Sequence, residues 1–331
     1  MDNLHNIQYN QASPSLMLHN PVEEHLIASD AFIVANTIDM PLYQLRDNHI
    51  IPVFSATNEP LISHHDFINA VESVVQNWFQ GEQISQPVVR VSHPIKGRIP
   101  EAKYKKAVEL KPWEETLYYE RMMFAIEIPS IKEVVNGNEL SLTIGGIKAY
   151  NQDNLYGKRP SNEQHFHVFI GFKNFVCTNL CISTDGAKRL IRVKSQHELM
   201  YEIVQLLQEY NMKKHLECMR NLNHVSLTDK EFALLIGKCR LFRYLPDKSN
   251  ITPILFGDQQ MGSVARDYFQ DENFQRDRFG EINLWRMYNL LTGVNKSTYI
   301  DNFLDRAINA QEIVDEVLDH KLGRKQSWYL E

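Results

Sequence analysis

His165 and His167 stand two apart at the start of a β-prone run that extends to Ile182. Alternate residues of a strand share a face, so both imidazoles point the same way. Two rings so placed chelate a metal if a neighbouring strand supplies a third ligand. A metal-dependent hydrolase using His165 and His167 is therefore one reading of the chain, set against packed or surface histidines, and nothing else at metal spacing lies nearby in sequence. His64-His65-Asp66 offers the same residue types, but adjacent residues on a helix diverge and Asp66 is placed to cap one. Cys177 and Cys181 fall in the same β-prone run. Four residues of strand span roughly 13 Å, whereas a disulfide needs Cα atoms within about 7 Å, so a bridge between them requires a broken strand. Neither cysteine has a second pair at zinc spacing or a histidine partner for nucleophilic chemistry. The phosphate-loop, dinucleotide, nucleophile-elbow and His-Glu-x-x-His patterns are all absent. The sequence thus offers no cofactor, no metal set and no catalytic residues, and it reads as non-enzymatic.

Basic residues suggest a second chemistry. Lys96, Arg98, Lys103, Lys105, Lys106, Lys158, Arg159, Arg189 and Arg192 lie in or beside loops flanking predicted strands. Cations so spaced can track a phosphate backbone. Tyr104, Trp113, Tyr118, Tyr119, Tyr150, Tyr156, Phe166, Phe169, Phe172 and Phe175 are interleaved with them, and sheet aromatics beside a basic rim can stack unpaired bases. The overall charge is −6, which argues against indiscriminate polyanion binding, but it is unevenly spread. Residues 1–87 hold one cation, Arg46, and ten acids, whereas residues 88–196 hold 17 cations and 11 acids. The acidic region offers a surface for a basic protein partner, or a cover for the basic face of its own chain.

The elements that must position these residues divide the chain into an acidic N-terminal segment (1–87), a basic β-meander core (88–195) and a helical region packed on it (196–331). Residues 1–20 read as a loose polar arm, and Ala31–Ile38 and His49–Phe54 as short edge strands. Ser63 with Asp66 caps a helix that runs to about residue 79. Residues 88–112 begin as a strand and become a loop, because Pro94, Gly97 and Pro100 break regular structure. Runs over Tyr118–Ile128, Leu140–Tyr150 and His165–Ile182 predict a three-strand antiparallel meander, with Asn136-Gly137-Asn138 as a turn and Gly145-Gly146 as a bulge. A basic stretch from Lys188 to Lys194 follows. Helices are expected after Ser195, after the capping box of Thr228 and Glu231, and over about 281–293 and 298–318, with residues 245–258 as a connector. The predicted class is α+β: a central antiparallel β-meander, an N-terminal α/β segment and a mostly helical C-terminal third. No secretory signal or membrane-length apolar run is visible, so the expected address is the cytoplasm, with no membrane partner.

Several stretches carry a resemblance: Ile51-Pro-Val-Phe54, Ile62 to Ile68, Arg90 to Ala102, Phe175-Val-Cys-Thr-Asn-Leu180, and Asn283 to Thr292. Together they resemble domain of unknown function 3871, a family found mostly in Bacteroidetes, over nearly the whole chain. The Val-Cys-Thr-Asn and Trp-x-x-Tyr-Asn-x-x-Thr stretches also resemble a broader phage/plasmid-like group. That group has Cys-Thr-Asn-Gly where this chain has Cys177-Thr-Asn-Leu180, which leaves no glycine for a turn after Asn179. The resemblance implies a setting on plasmids, prophages or conjugative elements and brings no catalytic residues. A meander followed by a long helix is also the order seen in single-strand annealing proteins, a fold-level analogy. Three expectations follow. The first is a non-enzymatic mobile-element accessory protein that binds nucleic acid, preferring single-stranded DNA. The second is a protein-interaction or anti-defence module. The third is the hydrolase already described.

Overall fold

The computed structural model describes residues 31–49, 61–102, 104–153 and 163–331. The expected loose arm over 1–20 and the strand residues 50–54 lie outside this set. Ala31–Ile38 is mostly loop rather than strand, ending in the two-residue β1 (Ile38–Asp39). Pro41 then supplies a helix-compatible start, and α1 (Leu42–Asn48) follows where no helix is expected. In α2 (His64–Trp78) the anticipated cap is present: Ser63 Oγ accepts the Asp66 N–H at 3.0 Å, and the Asp66 carboxylate accepts the Ser63 N–H at 3.2 Å.

The strands are β2 (Val88–Val91), β3 (Pro94–Arg98), β4 (Glu115–Tyr119), β5 (Arg121–Val135), β6 (Asn138–Ala149), β7 (Gln164–Asn174), β8 (Leu180–Cys181) and β9 (Ala187–Val193). One antiparallel sheet runs β1-β2-β5-β6-β7, with β8 and β9 both pairing the outer edge of β7. β5, β6 and β7 are the expected meander. Asn136 and Gly137 make its first turn with φ of 50° and 83°, values that a two-residue hairpin needs and that Asn and Gly tolerate. The predicted bulge is elsewhere: pairing stays in register through Gly145 and Gly146 and shifts between Ile128 and Lys132. The two glycines are there for a different reason. A Cβ at Gly146 would lie 2.4 Å from the Phe67 ring, and one at Gly145 would lie 2.2 Å from the Phe124 carbonyl oxygen and 2.4 Å from the Phe169 ring. Their lack of side chains lets α2 and Phe169 close onto β6.

The C-terminal region holds α3 (Gln196–Glu209), α4 (Met212–Asn221), β10 (Ser226–Thr228), α5 (Asp229–Leu241), α6 (Asp258–Gln270), β11 (Glu281–Asn283), α7 (Leu284–Asn295) and α8 (Ile300–Lys321). The Ser195 cap and the Thr228–Glu231 capping box open α3 and α5 as expected. Both faces of the sheet are covered. Phe67 of α2 meets Phe124 and Phe166 edge-on, and Leu199, Ile203 and Leu206 of α3 join the same cluster. On the opposite face Phe303, Leu304, Ala307 and Ile308 of α8 pack on Met123, Ile147 and Phe169. The meander strands are consequently apolar on both faces, as a sheet between two helical layers requires. The architecture is α+β, and no described helix is long and apolar enough to cross a membrane.

Candidate nucleic-acid interface

β2 pairs β5 and β3 pairs β4 in one continuous register, from Val88↔Ala125 through Val91↔Met122 to Pro94↔Tyr119 and Arg98↔Glu115. The two pairs are one long hairpin interrupted at Ser92–His93. Across the break the Ser92 N–H donates to the Arg121 carbonyl at 2.9 Å, and the Arg121 N–H donates to Ser92 Oγ at 3.1 Å. The inner half belongs to the main sheet and the outer half is a separate two-stranded ribbon. Residues 94–98 are thus strand, not loop. Pro94 sits at the first position of the ribbon strand, where a missing N–H is tolerated, and Gly97 leaves room for Thr116 Oγ1, which would lie 2.6 Å from a Cβ.

The ribbon's tip is held by its own charges. The Ile99 N–H closes onto the Glu114 carbonyl at 2.9 Å. Arg98 donates to the Lys105 carbonyl, and the Lys105 ammonium pairs with Glu114. Glu114 also accepts the Lys111 N–H at 3.0 Å, and these two donors hold its carboxyl below the usual range. Lys96 pairs with Glu115 at 3.2 Å. Lys106 is exposed, and the Lys111 ammonium lies 5.0 Å over the Trp113 ring. Tyr104, Val108 and Trp113 are 92%, 90% and 69% exposed.

Of the nine predicted cations, Lys96, Arg98, Lys105 and Lys106 are therefore on this one ribbon. Lys103, Lys158 and Arg159 lie outside the described residues, as does Tyr156. Arg189 is in β9, and Arg192, exposed on β9, pairs in register with His165. Extending the registers places Arg192 level with Arg121, three strand spacings or about 14 Å across the sheet. It shares the ribbon's end of the sheet but not the ribbon. Of the aromatics interleaved with these cations, Phe166, Phe169 and Phe172 are fully buried and Tyr119 and Tyr150 nearly so, because helices cover both faces, whereas Phe175, just past the end of β7, is 40% exposed. Among the described ones Tyr104 and Trp113 are the most exposed, and their position in a Pro- and Lys-rich loop is the signal that singles them out.

A different set of polar residues is interior. Lys148 points into the core, its ammonium 2.5 Å from Asp153 and 4.1 Å above the Phe166 ring. It also donates to the His165 carbonyl at 3.3 Å, while Asp153 accepts the His165 N–H at 2.7 Å. Burial pulls the lysine down to about 8 against the opposing pull of Asp153. Beside it His49, His64 and Tyr150 stack with ring centroids 4.5 to 5.9 Å apart. Burial lowers His49 to about 4 and holds His64 well below its ordinary value. His64 accordingly stays neutral, its Nε2 2.7 Å from the Tyr119 carbonyl. His167 Nε2 meets Gln152 Oε1 at 2.9 Å, and no cluster of three or more His, Cys, Asp or Glu suited to a metal occurs among the described residues.

The Phe175–Leu180 and Asn283–Thr292 stretches meet in the core. Asn174 Nδ2 donates to Asn289 Oδ1 at 3.1 Å, and Asn179 Nδ2 donates to the Asn289 carbonyl at 2.9 Å. The Lys296 ammonium donates to the Cys177 carbonyl and to Thr178 Oγ1. The left-handed residue in this turn is Thr178, with φ of 55°, and Leu180 already begins β8, so no glycine is needed there. Cys177 is in the turn rather than in a strand, burial raises its thiol to about 11, and all four cysteines are free. These motifs dock α7 onto the β7–β8 turn, a structural role.

No curated protein and no solved structure matches the chain. A family model described as "Domain of unknown function, B. Theta Gene description (DUF3871)" matches residues 20–330, and the chain belongs to that family.

Proposed function

We propose that this protein is a non-enzymatic nucleic-acid-binding accessory factor of a mobile element, that it prefers single strands, and that the β3–β4 ribbon is its contact element. The observation that carries the reading is the exposure of Tyr104 and Trp113 on a ribbon that also presents Lys96, Lys106 and Lys111. Aromatic faces stack any base, at about 1–3 kcal/mol each, while neighbouring ammoniums meet phosphates. Base stacking needs unpaired bases, hence the single-strand preference. Arg192 and Lys194, exposed at the same end of the sheet, extend the path.

Fluorescence anisotropy of a labelled single-stranded oligonucleotide at low salt tests this. Trp113→Ala should weaken binding about tenfold, and Lys106→Glu should reduce the salt dependence as well as the affinity. Binding that is no tighter than that of a similarly acidic control protein removes the proposal.

One observation favours a protein-interaction module. Glu101, Glu109, Glu114 and Glu115 partly offset the ribbon's cations, and exposed Val108 beside Trp113 is the kind of apolar anchor that protein interfaces use. Under that reading Val108→Asp abolishes binding to the partner, and oligonucleotide affinity is absent from the start.

A further inference from the structure

At the root of the ribbon, the β2–β3 junction, the β4–β5 junction and the turn before α8 surround a cavity of about 210 Å³. Pro94, Ile95 and Tyr299 give it apolar surface, and Glu120 and Arg121 give it charge. Tyr299 is 55% exposed, and Asn36 Nδ2 donates to its hydroxyl at 3.3 Å, which holds the ring at the cavity's edge. Arg121 is shared between two carboxylates: its Nη1 pairs with Glu120 Oε2 at 3.1 Å, and its Nε donates to Asp301 Oδ2 at 3.2 Å. The Glu120 and Arg121 side chains are still 28% and 29% exposed, so both are open to a ligand.

The lining narrows the ligand. Two carboxylates on one guanidinium leave an excess of negative charge, which disfavours a phosphate. The volume is below the roughly 300–1,000 Å³ of pockets for drug-sized molecules and suits one planar ring system. An unpaired base is recognised by stacking and by hydrogen bonds to its Watson–Crick edge. Guanine's edge offers two adjacent N–H donor groups, which one carboxylate accepts together, and the O6 acceptor beside them. Glu120 next to Arg121 presents the complementary order of acceptors and donor. Given the ribbon as the single-strand contact, we propose that this cavity takes one unpaired guanine of the bound strand. Glu120 accepts from its N1–H and N2–H, Arg121 donates to O6, and the ring lies against Tyr299 and Pro94. The strand continues towards exposed Lys96, two residues along β3 from Pro94.

Anisotropy titration of the full chain with a labelled oligothymidylate, and with the same oligomer carrying one central guanine, tests the proposal. The guanine oligomer should bind about tenfold more tightly. Adenine or cytosine at that position should gain at most about twofold. Glu120→Gln and Tyr299→Ala should each remove the guanine gain, while oligothymidylate binding through the ribbon reports that each variant is folded. Trp113→Ala should weaken both oligomers alike and keep their ratio. Three results overturn the cavity's role alone: no gain from guanine while oligothymidylate binding persists and depends on Trp113, an equal gain from cytosine, or a guanine gain that survives either cavity variant. Absence of binding to both oligomers overturns the ribbon reading, and the cavity's role with it.

Discussion

Lys148 and Lys96 each face a carboxylate from the same run of strands, and their surroundings separate them. The Lys148–Asp153 pair has no exposed side-chain surface, whereas Lys96 and Glu115 are 78% and 40% exposed. In the interior, water cannot replace a lost partner, so the pair acts as a unit with Phe166 and the His165 backbone around it. On the ribbon, water and salt compete with the pair, and its charges remain available to a third party. A charge count along the sequence weights the two lysines equally, although only the ribbon lysine can serve recognition.

The largest expected effect tests the interior side of that comparison. Asp153→Asn leaves a buried ammonium without its counter-charge and should cost about 3–5 kcal/mol in urea denaturation. The double change Lys148→Met with Asp153→Leu should recover most of that loss. Equal losses in the single and double variants would mean that packing rather than charge dominates there. The pH response has a defined sign. With a folded value of about 8 against an ordinary 10.5, Lys148 has released its proton between these limits while the unfolded chain still holds one. Stability should therefore rise with pH over that window relative to a Lys148→Met variant.

The next effect comes from the buried histidines. Burial depresses both His49 and His215 to about 4. Between pH 6.5 and 4 the unfolded chain gains protons that the folded rings refuse, so stability falls as pH falls through that window. The full shift corresponds to roughly 3 kcal/mol per ring. Thermal melts at pH 7, 6, 5 and 4.5 should show the loss in the wild type and a shallower slope in His215→Phe. Identical slopes would break the assignment. Asn289→Ala should follow at about 1–3 kcal/mol, because it strands the buried Asn174 amide.

What the sequence disclosed follows from how local each signal is. The Asn136-Gly137 turn and the caps at Ser63 and Thr228 are written within four residues, and all three are where the sequence places them. Helices α4 and α6 escaped notice: α4 buries only His215, Leu216 and Met219, and α6 contains Gly262 and starts on Gly257 without a side-chain cap. Strand β9 reads as a basic stretch because Leu190 and Arg192 face outward between the buried Ile191 and Val193, the habit of an edge strand. The roles of Gly145 and Gly146 depend on Phe169 and Phe67, the latter far away in sequence. Lys148 counts as one more surface cation until Asp153 and Phe166 surround it. The basic stretch that became the ribbon was legible as a charged, aromatic-bearing segment, but the carboxylates that fold back on Lys96 and Lys105 show only in three dimensions.

The smallest expected change in stability carries the sharpest test of the ribbon. Glu115→Gln removes the partner of Lys96, and an exposed pair of this kind is worth at most about 1 kcal/mol. Melting temperature should barely move. If the ribbon tracks phosphates, the same change frees an ammonium and removes a repelling carboxylate, so oligonucleotide affinity should rise severalfold and its salt dependence should steepen by about one counterion. If the ribbon instead seats on a protein surface, releasing Lys96 gives no gain for DNA, and affinity for the protein partner falls wherever Glu115 was contacted. The same substitution thus moves the two readings in opposite directions at nearly constant stability, which the interior pair, bound to folding itself, cannot do.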